Sequence, residues 1–96
     1  MLTNKQKNLL KGRSNILKPT YQIGKKELSQ PALEMLDKAL LAHELIKIQV
    51  LKAVEAPLME IALDLASSLH AEVIQVIGRV IVLYRRNPIK PKIELE

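Results

Sequence analysis

Two amphipathic helical segments, each lying between segments of β type, constrain the fold of this chain more than any other feature. Apolar residues recur at helical spacing over residues 32–43 and again over residues 58–69. Ser29, with Pro31 after it, and Pro57 are typical of helix starts. Because strand–helix–strand units cross over in the right-handed sense, both helices are expected on the same face of one sheet.

Four segments of β type accompany these helices. They comprise residues 20–23, 45–51, 72–77 and 80–85. The second alternates apolar and polar residues, so one side is expected to be buried while the other, which carries Lys47 and Gln49, stays open. The last two enclose Gly78 and Arg79, a two-residue turn with glycine first, which is typical of a hairpin with a type II′ turn.

A further helix is predicted at the start of the chain, over residues 3–13. Thr3 and Gln6 have the spacing of a capping box, and Gly12 is expected to mark the end of the helix. A thin apolar stripe would dock this helix on the rest of the domain through Leu2, Leu9 and Leu10.

The predicted element order is α-β-α-β-α-β-β, which indicates the α/β class. We expect a two-layer sandwich with a mixed four-stranded sheet, in which the first two strands are parallel and the last two antiparallel. The second face of the sheet would stay at least partly exposed. Residues 1–86 are predicted to form a single domain, and residues 87–96 a charged tail that Pro88 and Pro91 keep irregular or edge-like.

The 15 Lys and Arg residues are unevenly distributed along the chain, although the net charge is only +5. Residues 1–26 hold seven of them and no acid, residues 27–76 hold three against eight acids, and residues 77–96 hold five against two. Both ends are therefore basic and the middle is acidic, a distribution typical of a surface that binds a polyanion. Accidental clustering on a solvated surface is the alternative.

The segment Gly24-Lys25-Lys26 is the sharpest candidate for an anion site. A glycine ends a strand, two lysines follow it and a helix starts soon after, so ammonium groups and backbone donors could meet a phosphate there. The alternative is a turn that needs glycine for its geometry and lysines for solubility. Basic residues of the first helix and the hairpin would extend the surface, although charge on an edge strand also prevents aggregation. The whole predicted polyanion-binding set is Lys5, Lys7, Lys11, Arg13, Lys18, Gly24, Lys25, Lys26, Arg79, Arg85 and Arg86.

Other classes of site find little support. The chain has no Cys, which excludes disulfides, thiolate zinc sites and cysteine catalysis. His43 and His70 are predicted near helix C-termini, without the spacing of metal ligands, and no nucleophile elbow, dinucleotide loop or Walker loop is present. We therefore expect that the protein has no catalytic activity and binds neither a metal nor a cofactor. Without a signal peptide or an apolar run of membrane length, the expected location is the cytoplasm.

Several short motifs follow one another along nearly the whole chain. They are Lys5-Gln6-Lys7, Leu10-Lys11-Gly12, Leu17-Lys18-Pro19, Ile23-Gly24, residues 43–48, residues 75–78 and residues 82–85. In this order they resemble the YhbY family, the bacterial single-domain members of the CRM group (chloroplast RNA splicing and ribosome maturation). The resemblance implies a fold similar to the C-terminal domain of translation initiation factor three, RNA binding, and association with precursors of the large ribosomal subunit.

The loop after the first strand departs from the pattern of that family. The family loop typically reads glycine, two variable residues and glycine, comparable with the backbone clamp of KH domains. Here Glu27 stands in place of the second glycine. We therefore expect the ammonium groups of Lys25 and Lys26, rather than a backbone clamp, to hold a phosphate.

Together these observations predict a non-catalytic, monomeric RNA-binding protein that contacts structured ribosomal RNA, or particles preceding the large subunit, during ribosome assembly. Little reading of bases is expected, because the two tyrosines are the only aromatic side chains. Two alternatives stay open. One is a DNA-binding architectural protein of the kind that small α/β domains such as the Alba proteins represent; the other is a protein-interaction module whose acidic middle helices dock a basic ribosomal partner.

Overall fold

A computed structural model describes residues 2–17, 21–24, 29–89 and 93 of the chain. Its elements are α1 (Asn4–Ser14), β1 (Tyr21–Ile23), α2 (Gln30–His43), β2 (Leu45–Val50), α3 (Leu58–Leu69), β3 (Glu72–Ile77) and β4 (Val80–Tyr84). This is the predicted order. In the part of the chain so described, no helix is long and apolar enough to cross a membrane.

The four strands form one mixed sheet in the order β1-β2-β4-β3. β1 and β2 are parallel, and β4 is antiparallel to both of its neighbours, as the sequence predicts. We call the two ends of the sheet the Gly24 end, where β1, β2 and β3 finish and β4 begins, and the Tyr84 end, which lies opposite. The predicted turn joins β3 to β4 at the Gly24 end, with Gly78 at φ 57°, as the first position of a type II′ turn requires.

The main core lies between the sheet and the pair α2 and α3. Ile46, Ile48 and Val50 of β2 point into it, opposite the fully buried Leu40 of α2 and Leu65 of α3. The alternation of β2 thus places its β-branched side chains on the side that the helices cover. Both amphipathic helices lie on one face of the sheet, as the right-handed crossover predicts.

The other face of the sheet is covered in part by α1. A smaller cluster forms there from Leu10 of α1 and from Leu45, Ile74, Val82 and Tyr84 of the sheet. The predicted capping box is present, since Thr3 and Gln6 exchange backbone-to-side-chain hydrogen bonds of 2.9 and 3.1 Å. Leu9, predicted to belong to the apolar stripe, is instead 40% exposed, because one turn of this helix presents only Leu10 directly to the sheet.

The helix α1 continues to Ser14, beyond its predicted end near Gly12. The Ser14 hydroxyl donates to the Lys11 carbonyl over 2.8 Å. From β2, the Lys47 ammonium donates to the carbonyls of Ser14 and Leu17, each over 3.2 Å. A cation from a distant strand therefore occupies the negative end of the helix dipole, which no local signal near Gly12 could indicate.

Glu44 joins the end of α2 to the segment that follows β4. It is fully buried, has φ 63°, and its carboxylate accepts hydrogen bonds from the backbone N–H groups of Asn87, over 2.6 Å, and Ile93, over 2.7 Å. Ile93 packs against the smaller cluster. The carboxylate thereby holds two points of the chain after β4 at the Tyr84 end of the sheet.

Candidate nucleic-acid interface

The part of the sheet that α1 leaves uncovered forms a mostly polar surface, which we call the open face. It comprises Gln22, Lys47, Gln49, Gln75, Ile77 and Val80, all half-buried or exposed. Register places Gln22, Gln49, Val80 and Ile77 in one row across the four strands at the Gly24 end. The polar side of β2 predicted from its alternation is thus part of a wider polar surface.

One flank of α1 borders the open face. Lys7, Lys11 and Asn15 follow one another at intervals of four residues, so they lie on the same side of the helix. Asn15 lines a groove of about 140 Å³ together with Lys47 and Gln75 of the open face. The two half-buried lysines on this flank therefore stand beside the open face. Lys5 is exposed on the outer side of α1.

Gly24 lies where β1 ends, at the edge of the open face. Its φ is not positive; of the described glycines, only Gly78 has a positive φ. A Cβ built on Gly24 would lie 3.7 Å from the Leu51 Cδ1, an ordinary van der Waals contact. Neither backbone conformation nor crowding by described residues requires a glycine here. The described residues therefore give no geometric reason for a glycine at this position.

Arg79 reinforces the Gly24 end from inside the protein. Its Nε donates to the Val50 carbonyl over 3.0 Å, and one of its terminal nitrogens donates to the carbonyls of Leu51, over 2.8 Å, and Val54, over 3.0 Å. The Leu51 N–H in turn donates to the Ile23 carbonyl over 2.8 Å, next to Gly24. Arg79 therefore links the hairpin turn to the segment that follows β2, which lies next to Gly24. Much of its guanidinium already donates hydrogen bonds to backbone carbonyls.

Arg85 and Arg86 lie at the Tyr84 end, because the second strand of a hairpin finishes opposite its turn. Arg85 forms an ion pair with Asp37 of α2 over 2.6 Å and donates to the Leu69 carbonyl over 2.9 Å. Arg86 is exposed, and its side chain forms no hydrogen bond with the residues described. The structure does not bring these two arginines to Gly24.

Several predicted site residues are not placed. Lys18, Lys25 and Lys26 lie outside the described residues, as does most of the predicted tail. Arg13 is described and exposed, on the flank of α1 that faces away from Lys7 and Lys11. Of the described cations of the predicted surface, Lys7 and Lys11 stand beside the open face, and Arg13, Arg85 and Arg86 lie towards the Tyr84 end. Lys5, on the outer side of α1, and Arg79, bound to carbonyls at the Gly24 end, belong to neither group.

Sequence reasoning missed the structural roles of Lys47 and Glu44. The alternation of β2 predicts Lys47 only as a polar side chain on an open face, and no local pattern marks Glu44 as buried. Both residues belong to the motif of residues 43–48, which contributes to the family resemblance but indicates no structural role for either of them.

His43 and His70 lie at the ends of α2 and α3, as predicted. No group of three or more His, Asp and Glu side chains that could hold a metal occurs among the described residues.

Proteins of similar sequence, and one solved structure of similar fold, are known. The "Probable RNA-binding protein YqeI" of Bacillus subtilis is 36% identical over 95 residues, which are 99% of both chains. A Haemophilus influenzae protein named "RNA-binding protein" is 36% identical over 84 residues, which are 88% of this chain and 85% of the relative. A Staphylococcus aureus protein of known solution structure superposes with a TM-score of 0.83 at 36% identity, over 100% of both chains.

The match to a family model covers the elements that build the open face. The model of the CRS1/YhbY (CRM) domain matches residues 2–85, from the start of α1 to the end of β4. The resemblance read from the short motifs is thereby confirmed. This chain belongs to the CRS1/YhbY (CRM) domain family.

Proposed function

We propose that this chain is a non-catalytic RNA-binding protein that grips the phosphate backbone of structured ribosomal RNA during assembly of the large subunit. The observation that carries the proposal is the open face, bordered by Lys7 and Lys11 and ending at Gly24. The RNA-binding names of relatives that match along most of their length support the choice of ligand.

The chemistry of the open face suits the backbone of a folded RNA. Lysine ammonium groups neutralise phosphates, and the amides of Gln22, Gln49 and Gln75 offer both donors and acceptors to 2′-hydroxyl groups. The minor groove of an A-form helix is wide and shallow and displays those hydroxyls. A flat polar face can lie against such a groove without inserting a helix, so the geometry favours RNA over duplex DNA.

The two sides of the sheet differ in charge in a way that orients this contact. Exposed acids lie on α2 and α3, on the face opposite α1; they are Glu34, Asp37, Glu60 and Asp64. A polyanion is repelled from that side and attracted to the side of α1 and the open face. The acidic middle of the sequence and its basic start therefore become opposite sides of the folded molecule.

Sedimentation of a cell extract through a density gradient tests the assembly role. The protein is expected to migrate with precursors of the large subunit and to return to the top of the gradient after ribonuclease treatment. Migration only as free protein before nuclease treatment would contradict the role in assembly while leaving RNA binding open to the next test.

Competition between an RNA duplex and a DNA duplex of matched sequence tests the ligand. We expect the RNA to displace the DNA at equal concentration, because only RNA presents 2′-hydroxyl groups to the glutamines. A preference for DNA would overturn the proposal in favour of an architectural DNA-binding protein.

One observation favours a second candidate function, docking of a basic protein. On α3, the side chains of Met59 and Leu63 are 53% and 57% exposed and lie one helical turn apart, next to the exposed acids Glu60 and Asp64. An apolar strip with acidic neighbours suits a basic protein surface. Association with ribosomal particles that is lost on Met59→Ser plus Leu63→Ser, and that survives nuclease, would favour this candidate.

A further inference from the structure

We propose that the groove between the end of α1 and the starts of β1 and β2 holds one unpaired nucleobase of the bound RNA. This inference rests on the proposed RNA-binding function and goes beyond it, because it adds a contact to a base where the open face contacts only the backbone. We call this groove the Tyr21 groove.

The Tyr21 groove is open to solvent and has a volume of about 320 Å³. The described residues that line it come from the last turn of α1 and the segment after it, the first residue of β1, the last residue of α2, the first three residues of β2, and Ile93. β1 pairs with β2 from Tyr21 opposite Ile48 onward, so the first three residues of β2, which line the groove, lie before the described start of β1.

Its walls offer flat and apolar surfaces to a planar ring. Tyr21 is half-buried, and its side chain borders both the main core and the groove. Ile16 is 85% exposed and Leu17 is 38% exposed, although both are large and apolar. A base stacked on the tyrosine would cover these side chains, and any base can do so because each has a π-face.

The charge around the groove selects a nucleotide over an apolar peptide. Arg13, His43 and Lys47 stand among the lining residues, and the described lining includes no carboxylate. Arg13 is exposed, and no described residue accepts a hydrogen bond from its guanidinium. The groove between α1, β3 and β4 differs in this respect, since Glu72 lines it beside Arg86. An apolar floor with a cationic rim is complementary to a base that carries a phosphate.

The remaining wall is held in place by Glu44. Ile93 lines the groove, and its backbone N–H donates to the buried Glu44 carboxylate over 2.7 Å. This hydrogen bond ties the backbone of Ile93 to the folded domain.

The Tyr21 groove and Gly24 lie at opposite ends of β1. A strand of three residues spans roughly 10 Å. One RNA strand of a few nucleotides could therefore place a phosphate at Gly24 and an unpaired base against Tyr21.

The test compares two probes of equal length and charge: an oligoadenylate of eight nucleotides, and the same ribose-phosphate chain without bases. The native protein should bind the oligoadenylate about tenfold more tightly, which is within the range measured for stacking of a base on an aromatic side chain. Ile16→Ser, at an exposed position, and Tyr21→Leu, which keeps an apolar side chain for the core, should each abolish most of this preference. Tyr84→Phe, which alters the other tyrosine, should keep it.

The outcomes separate this inference from the proposed function. Equal binding of the two probes by the native protein, or an unchanged preference in both groove variants, would overturn the nucleobase site while leaving the backbone contact intact. Failure to bind either probe, or any structured RNA, would overturn the site and the proposed function together. Capture of an apolar peptide in place of the base, with loss of the preference for oligoadenylate, would also overturn it.

Discussion

Three arginines that look alike in the sequence have different surroundings because the hairpin sends them to different ends of the sheet. Arg79, in the turn, donates to three backbone carbonyls at the Gly24 end. Arg85 pairs with Asp37 at the Tyr84 end, and Arg86 beside it is exposed. A sequence shows where the charge lies along the chain, but it does not show which acceptors the fold brings to it.

Replacing Arg79 by Lys tests its structural role while keeping the charge. An ammonium group cannot reproduce the fork of donors that reaches Val50, Leu51 and Val54, so carbonyl groups lose their partners. We expect the free energy of unfolding to fall by about 1–3 kcal/mol, measured by urea denaturation. Arg86→Lys is the matched control and should leave it unchanged. Equal stabilities of the two variants would contradict this role for Arg79.

Replacing Gly24 by Ala separates the fold from the ligand. The backbone there is compatible with alanine, and the new Cβ would only contact Leu51 at an ordinary distance. Stability should therefore stay the same or rise by about 0.4–1 kcal/mol, through the lower entropy of the unfolded chain. RNA affinity, measured on the same preparation, should fall, because the methyl group occupies the space of the ligand. A loss of stability with intact RNA affinity would reverse the interpretation of this glycine.

The buried hydroxyl of Tyr84 predicts a pH dependence of stability. It has no hydrogen-bond partner among the described residues, and burial, followed by the Glu44 carboxylate, raises the pKa of Tyr84 above its ordinary value of 10.0. Above pH 10 the unfolded chain loses this proton before the folded protein does, so the free energy of unfolding should fall as pH rises.

Tyr84→Phe should remove that contribution. At neutral pH its stability should equal that of the native protein or exceed it by about 1 kcal/mol, because the substitution removes a buried polar group that has no partner. Urea denaturation from pH 8 to pH 11 should show a shallower decline for the variant. A large loss of stability at neutral pH would mean that the hydroxyl has a partner in solution.

At the scale of elements, local signals were enough to predict where most helices and strands begin. The capping box at Thr3, the N-cap Ser29 and the turn at Gly78 each depend on a few neighbouring residues, and all three are present. The end of α1 was not predictable, because Lys47, 33 residues away from Ser14, supplies its cap. The groove at Tyr21 was not predictable either, since its lining residues come from separate elements that only the fold brings together.

Lys47→Met tests this long-range cap of α1. The substitution keeps much of the apolar stem of the side chain but removes the donors to the Ser14 and Leu17 carbonyls. Hydrogen exchange of the backbone amides in the last turn of α1 should accelerate, while that of α2 should not change. Lys38→Met, on the exposed side of α2, serves as the control. Unchanged exchange in α1 would show that the ammonium group does not stabilise the helix end.

At the scale of the whole molecule, the fold places the acidic helices α2 and α3 on one side of the sheet and the basic helix α1 on the other. The predicted element order, the pairing of the strands and the placement of α2 and α3 followed from periodicity and from the handedness of crossovers. The candidate site followed only in part, because strand register and the course of α1 decide which cations share a surface. Lys7 and Lys11 stand beside the open face, whereas Arg85 and Arg86 lie at the opposite end of the sheet from Gly24.

The salt dependence of RNA binding tests most directly whether phosphates are held at the Gly24 side of this molecule, as we propose. The variant Lys25→Ala plus Lys26→Ala should bind structured RNA more weakly, with a salt slope smaller by about 0.7–0.9 log units for each phosphate that the protein no longer neutralises. Lys38→Glu removes the same net charge from the opposite side of the sheet and should keep the native slope. An unchanged slope in the double variant, or an equal decrease in both proteins, would contradict the claim.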